Sequence, residues 1–172
     1  MQATPKPPGR RPLVAVLAAL FAAFALLHVA APARADDDRA ALRVPMLPKY
    51  QQECAACHLA YPPGLLPAAS WQRLMGNLSQ HFGTDASLDA ATVKELAQWL
   101  QTHAADPRRS KAGAAAPPED RITRSAWFLR EHREVTPATW ARSAIKSAAN
   151  CAACHTQADQ GDFDERHIRI PR

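Results

Sequence analysis

Aromatic side chains make up only 6% of this 172-residue chain. So little ring bulk, diluted further by alanine, gives a small chain poor means of filling a core from its own side chains. Alternating apolar and polar runs, the mark of half-buried strands, are lacking apart from a short one at the C-terminus. A sheet-built fold is therefore excluded, and a mainly α fold with little or no sheet is expected. Spare cysteine is lacking too, because all four cysteines fall into two copies of one five-residue motif. A lasting charge of one sign is the third thing missing, although this shows only once the N-terminus is set aside.

That N-terminus reads as an export signal. Lys6, Arg10 and Arg11 form a positive start, Leu13 to Ala31 is apolar, and Ala33-Arg34-Ala35 is a small-x-small cleavage site before Asp36. The apolar run approaches the length of a membrane span. It is rich in alanine and ends on the cleavage site, so residues 1–35 are expected to be removed, leaving a periplasmic protein that is not integral to a membrane. Arg10-Arg11 sits between Gly9 and Pro12, a poor match to a twin-arginine signal. Taking the four basic residues of positions 1–35 from the chain's 21 leaves 17 against 16 acidic ones. The net charge of +5 thus shrinks to about +1, which gives no sign of nucleic-acid binding.

The repeated motif is Cys54-Ala-Ala-Cys57-His58, written again as Cys151-Ala-Ala-Cys154-His155. C-x-x-C-H is the attachment signature of c-type haem: each thiol adds to a haem vinyl as a thioether, and the adjacent His is placed to ligate the iron. Three plainer readings compete, namely one zinc site, two thioredoxin-like redox pairs, or structural disulfides. Zinc leaves both histidines without a reason and needs ligands about a hundred residues apart. A thioredoxin-like pair wants a strand and a βαβ frame, which the sequence does not offer. Two covalent haems are the reading that uses every residue of both motifs, and their flat apolar faces would supply the core that the side chains cannot. Four ionised haem propionates would also take the mature charge to about −3.

About 137 residues then remain, enough for one domain or two small lobes. The expected division is an N-terminal haem lobe over 36–103, a linker over 104–120 and a C-terminal haem lobe over 121–172. Asp36 to Leu47 reads as an exposed arm, followed by a short helical lead-in at Tyr50 to Glu53. Tyr61-Pro62-Pro63-Gly64 and Pro67 forbid regular structure straight after the first motif. Ser70 is a candidate N-cap for a helix carrying Trp71, Leu74, Leu78 and His81 to a stop at Gly83. Asp89 can cap a second, with Val93, Leu96, Leu100 and His103 on one face, ended by Asp106-Pro107. In the linker, Arg108-Arg109-Ser110-Lys111 reads first as a solvated charge run and second as a dock for an acidic partner. Thr123 or a neighbour starts a third helix bearing Phe128, Leu129 and His132. Thr136-Pro137 opens a fourth, through Trp140, Ala144, Ile145 and Ala148, towards the second motif. The tail His167-Ile-Arg-Ile170 is a short extended piece, with Ile168 and Ile170 on one side.

What faces each motif histidine across the iron decides the chemistry: an open position binds gases or peroxide, Met raises the potential, and His closes the site. His81, His103 and His132 lie on apolar stripes, where an unsatisfied imidazole is costly; His167 points away from the isoleucines, towards solvent. His81 and His132 each lie about twenty-three positions from a motif histidine, a span with little loop entropy to overcome. They are the candidates for the distal positions, with His103 the runner-up; its own alternative is a histidine bonded near a helix C-terminus. Met46 and Met75, and the tryptophans Trp71, Trp99, Trp127 and Trp140, read as packing. In the first half the motif precedes its candidate partner, whereas in the second the partner precedes the motif. A simple tandem duplication would repeat one order.

Several blocks together resemble the small dihaem cytochrome c family of the bacterial periplasm. They are Trp71-Gln-Arg-Leu-Met-Gly-Asn-Leu-Ser-Gln-His81-Phe82-Gly83, Arg121-Ile-Thr-Arg-Ser-Ala-Trp127-Phe128 with His132, and Asn150 to His155 followed by Gly161-Asp-Phe163-Asp-Glu165 and Ile170-Pro171. The resemblance implies a mostly helical, non-enzymatic carrier of single electrons with two bis-histidine haems, His81 and His132 matching the distal ligands. It also implies a small monohaem c-type cytochrome that can bind oxygen as partner, with a membrane cytochrome b or a quinol-linked donor. The rival expectation is a gas-binding or peroxidase-type protein with one five-coordinate haem.

Overall fold

The computed structural model describes residues 42–172, so the expected signal over 1–35 and the start of the arm lie outside the described residues. The described residues form five α-helices, with short 3₁₀ turns between most of them and after the last: α1 Pro48–Cys54, α2 Ala68–Met75, α3 Ala90–Thr102, α4 Ala126–Glu131 and α5 Pro137–Trp140. Among the described residues there is no strand, only the isolated bridges His81 to Thr84, His155 to Ile168 and Gln157 to Asp162. None of their helices is long and apolar enough to cross a membrane. The mainly helical expectation holds.

The main core lies in the first half. Tyr50, Ala60, Leu66, Trp71, Met75, Leu96 and Leu100 cluster there, with α2 packed on α3. α3 starts where expected, because the Asp89 carboxylate accepts from the backbone N–H of Ala91 and Thr92, both at 3.0 Å, satisfying two donors that a helix start leaves open. Its Leu96 and Leu100 are fully buried. The prolines after the first motif do not make a loose loop. Pro62 and Pro63 are fully buried, and the buried Trp71 Nε1 donates to the Pro63 carbonyl at 2.7 Å.

Three helical expectations need correction. Ser70 is not a cap: it lies inside α2, wholly buried, with Arg73 donating to its hydroxyl, while Pro67 stands at the N-cap. The helix also stops early, at Met75, with Gly76 as its C-cap; Leu78–Gln80 is a separate 3₁₀ turn, so His81 is not carried on a continuous stripe. The fourth helix stops at Trp140, one turn after the expected Thr136 cap and Pro137 start. Beyond it the chain turns, with Lys146 in the left-handed region at φ 66° and the wholly buried Ile145 as its anchor.

The arm is not freely exposed where it is described. Leu42 is buried, Met46 and Leu47 pack against the main core, and Arg43 lies 3.7 Å from Asp162. Residues 104–120 likewise lie against the first half: Ala105 N–H donates to the Leu66 carbonyl, and Ala112 is fully buried. The second half has a smaller apolar interior, built on Phe128, Ile145 and Ala158. Its tail folds back over the second motif: Arg169 N–H donates to the Cys154 carbonyl at 2.8 Å, and Thr156 Oγ1 to the His167 carbonyl at 3.0 Å.

Candidate haem sites

The first site gathers around His58. Its motif straddles the end of α1, which begins on Pro48 at the first helical position, where a missing N–H costs nothing. The ring centres of His58 and His81 lie 6.1 Å apart with planes 23° from parallel. His81 is brought there by the 3₁₀ turn before it and by a tight turn after it: Phe82 and Gly83 both take positive φ, 51° and 93°, and Thr84 N–H donates to the His81 carbonyl. Phe82 packs edge-on against His81, and the Arg121 guanidinium sits 4.3 Å over the Phe82 ring. Arg73 clamps the neighbouring turn through two bonds to Asp120, 2.8 and 2.6 Å, where Glu119 and Asp120 both hold left-handed backbone.

At the second site, His132 and His155 have ring centres 6.1 Å apart with planes at 71°. His132 is the C-cap of α4, a helix started by Ser125, whose hydroxyl accepts from Phe128 N–H at 3.0 Å. The cap residue is therefore Ser125, two positions after Thr123. His132 is held by stacking on Phe128 at 4.0 Å, with Trp140 at 5.9 Å, and Phe163 packs near His155 at 5.2 Å. Because Ser125 is buried and its helix carries both Phe128 and His132, Ser125→Ala is expected to cost about 1 kcal/mol. Denaturant titration of the holoprotein should read this as a lowered midpoint.

Both pairs fit a metal between two imidazoles. Two metal–nitrogen bonds of about 2 Å, each extended to its ring centre, span about 6 Å, close to the spacing found in both halves. Burial first, and the facing imidazole second, lower the pKa of His81 and His155, keeping them in the neutral form that binds metal. In each pair one ring is oriented by a carbonyl: His58 Nδ1 to Leu59 at 2.7 Å, His132 Nδ1 to Phe128 at 2.9 Å, which leaves Nε2 for a metal. The buried Nδ1 atoms of the other two, His81 and His155, have no hydrogen-bond partner. The motif histidine is the oriented ring in the first half and its partner is in the second, so the inverted order along the chain returns in the hydrogen bonding.

The remaining candidates stand elsewhere. His103 is the C-cap of α3, its ring against Trp99 at 5.1 Å and its Nδ1 bonded to the Trp99 carbonyl at 2.8 Å. His167 is partly exposed and bonds Asp162 through Nδ1 at 3.1 Å. None of the four cysteines is paired in a disulfide, and burial pushes the Cys54 and Cys151 thiols up to about 11. They are therefore poor thiolates. Among the described residues no three His, Cys, Asp or Glu side chains converge into a metal-holding group, so the cysteines do not form a tetrahedral set.

Sequence reasoning missed Tyr61. Its ring stacks on His58 at 4.9 Å and 21°, and its hydroxyl donates to the Ala149 carbonyl at 2.8 Å. The only hint was an aromatic three positions after the motif histidine.

Paired C-x-x-C-H motifs, each with a second histidine facing the first, in a helical fold whose described residues form no sheet define a two-haem c-type protein. The family model for dihaem cytochrome c matches residues 50–163, and the chain belongs to that family. Two c-type haems are thus its cofactors, with Cys54 and Cys57, and Cys151 and Cys154, fitting as their attachment points. Similar solved structures include the DHC purified from Rhodobacter sphaeroides, 43% identical over 70% of this chain and 99% of that one, with a TM-score of 0.59. The diheme cytochrome type c from Shewanella baltica OS155 is 36% identical over 74% of this chain and 95% of its own, with a TM-score of 0.63. No curated protein matches.

Proposed function

We propose that this chain is a periplasmic carrier of single electrons whose two haems are each closed by two histidines, His58 with His81 and His155 with His132. The observation that carries the reading is the equal 6.1 Å spacing of the two imidazole pairs, reached by different local structures. When bound, each haem supplies a one-electron ferric–ferrous couple. The chain holds the rings in place, orients His58 and His132 through the Leu59 and Phe128 carbonyls, and walls the sites with Phe82, Phe128, Trp140 and Phe163. With both axial positions filled by protein there is no place for substrate, which argues for a carrier over an enzyme. A small monohaem c-type cytochrome and a membrane cytochrome b or quinol-linked donor are the proposed partners, supported by the family resemblance.

The test is an absorption spectrum of oxidised and reduced protein with and without carbon monoxide. Two low-spin irons that ignore the gas are expected. A high-spin fraction that takes it up would transfer the protein to the gas-binding or peroxidase class. Mass spectrometry of exported protein should show a start at Asp36 and two added haems.

A further inference from the structure

We propose that Tyr61 is the internal bridge between the two haem sites, a positioning residue that fixes the His58 side of one relative to the Cys151 side of the other. The proposal rests on the two-site carrier reading above. Tyr61 touches both sites at once. Its ring lies on the His58 imidazole, while its hydroxyl crosses 88 residues of sequence to the carbonyl of Ala149, two positions before Cys151.

Each end of this bridge is anchored. On the first side the Tyr61 carbonyl accepts from the Tyr50 hydroxyl at 2.9 Å, and Tyr50 is buried in the main core against Trp99. The buried pair Pro62-Pro63 fixes the chain immediately after it. On the second side Ala149 N–H donates to Ser147 Oγ at 3.0 Å, and Asn150 Nδ2 donates to the carbonyl of the fully buried Ile145 at 3.1 Å. A displacement of one motif would therefore have to break the Tyr61 hydrogen bond or unstack its ring. The phenol acts here only as a hydrogen-bond donor, and no bond forms or breaks at Tyr61. Its contribution is a fixed separation. The buried interiors of the two halves are built on other side chains, Tyr50, Trp71 and Leu96 in the first and Phe128 and Ile145 in the second.

The experiment uses the holoprotein and two replacements. Tyr61→Phe keeps the ring on His58 and removes the cross-link. Electron equilibration between the two haems after photoreduction is expected to slow severalfold, and the Ala149 carbonyl carbon to shift in NMR as its hydrogen bond is lost. Tyr61→Leu removes the ring as well, so the electron paramagnetic signal of the first haem should change while that of the second is kept. Ser147→Ala loosens the far anchor without touching Tyr61 and should slow equilibration in the same direction. Wild-type equilibration in all three variants, with an unmoved Ala149 resonance, would overturn the bridge while leaving the carrier reading intact. Carbon monoxide uptake by the unaltered protein would instead overturn the carrier reading.

Discussion

Replacing His132 with alanine is expected to open the second haem, and only that haem, to carbon monoxide. The side chain sits at the very end of α4, already past the helical backbone at φ −105°, so its loss removes a ring without interrupting a helix. What disappears is the imidazole stacked on Phe128 and facing His155. The ferrous variant should show a carbon monoxide adduct amounting to about half of the total haem. Oxidised protein gives an independent reading. On the proposed ligation, imidazole planes 23° apart in the first pair and 71° apart in the second would split the iron orbitals differently, so two low-spin paramagnetic signals are expected. His132→Ala should erase the one from the crossed pair, and His81→Ala the other. A spectrum unchanged in His132→Ala would move the distal assignment to His103 or His167.

The largest stability effect is expected at Gly113, which belongs to neither motif. Its backbone is left-handed at φ +63°, and an added Cβ would lie 2.5 Å from Leu65 C, 2.6 Å from Leu66 N and 2.7 Å from Gly64 O. All three are backbone atoms of the segment that follows the first motif, so none can swing aside like a side chain. Gly113→Ala thus combines a left-handed penalty with overpacking, together about 3 kcal/mol. Gly83 is the internal control: it too has positive φ, at +93°, but nothing lies within 4 Å of its added Cβ. Gly83→Ala should cost only about 1 kcal/mol, the backbone share. Denaturant midpoints of the two variants separate the terms; equal losses would mean that the close approach at Gly113 carries no weight.

The chemistry of this chain was legible because it is spelled locally. Cys-Ala-Ala-Cys-His names its ligand within five residues, and Asp89 names the start of α3 within four. The facing of His81 on His58 and of His132 on His155 was legible for a related reason, the two rings of each pair lying only twenty-three positions apart in sequence. What the sequence concealed is what depends on contacts far along the chain. Gly76 breaks α2 before His81, and only the tertiary turn at Phe82 and Gly83 brings that ring back to His58. The short α5 fooled periodicity because Ile145 is buried from a turn and not from a helix. Residues 104–120 have the alanine and proline content of a tether, yet Ala112 and Gly113 fill a groove whose walls are backbone, which composition does not record. Tyr61 was hidden for the same reason, its partner being a carbonyl 88 positions away.

The thin apolar interior of the second half has a consequence for how the protein comes into being. With Phe128, Ile145 and Ala158 as its main buried hydrophobic residues, this part of the polypeptide has too little to gain from collapse by itself. Attachment of the second haem is then expected to coincide with folding of this half, leaving haem-free molecules open to proteolysis. Assembly thereby inspects itself.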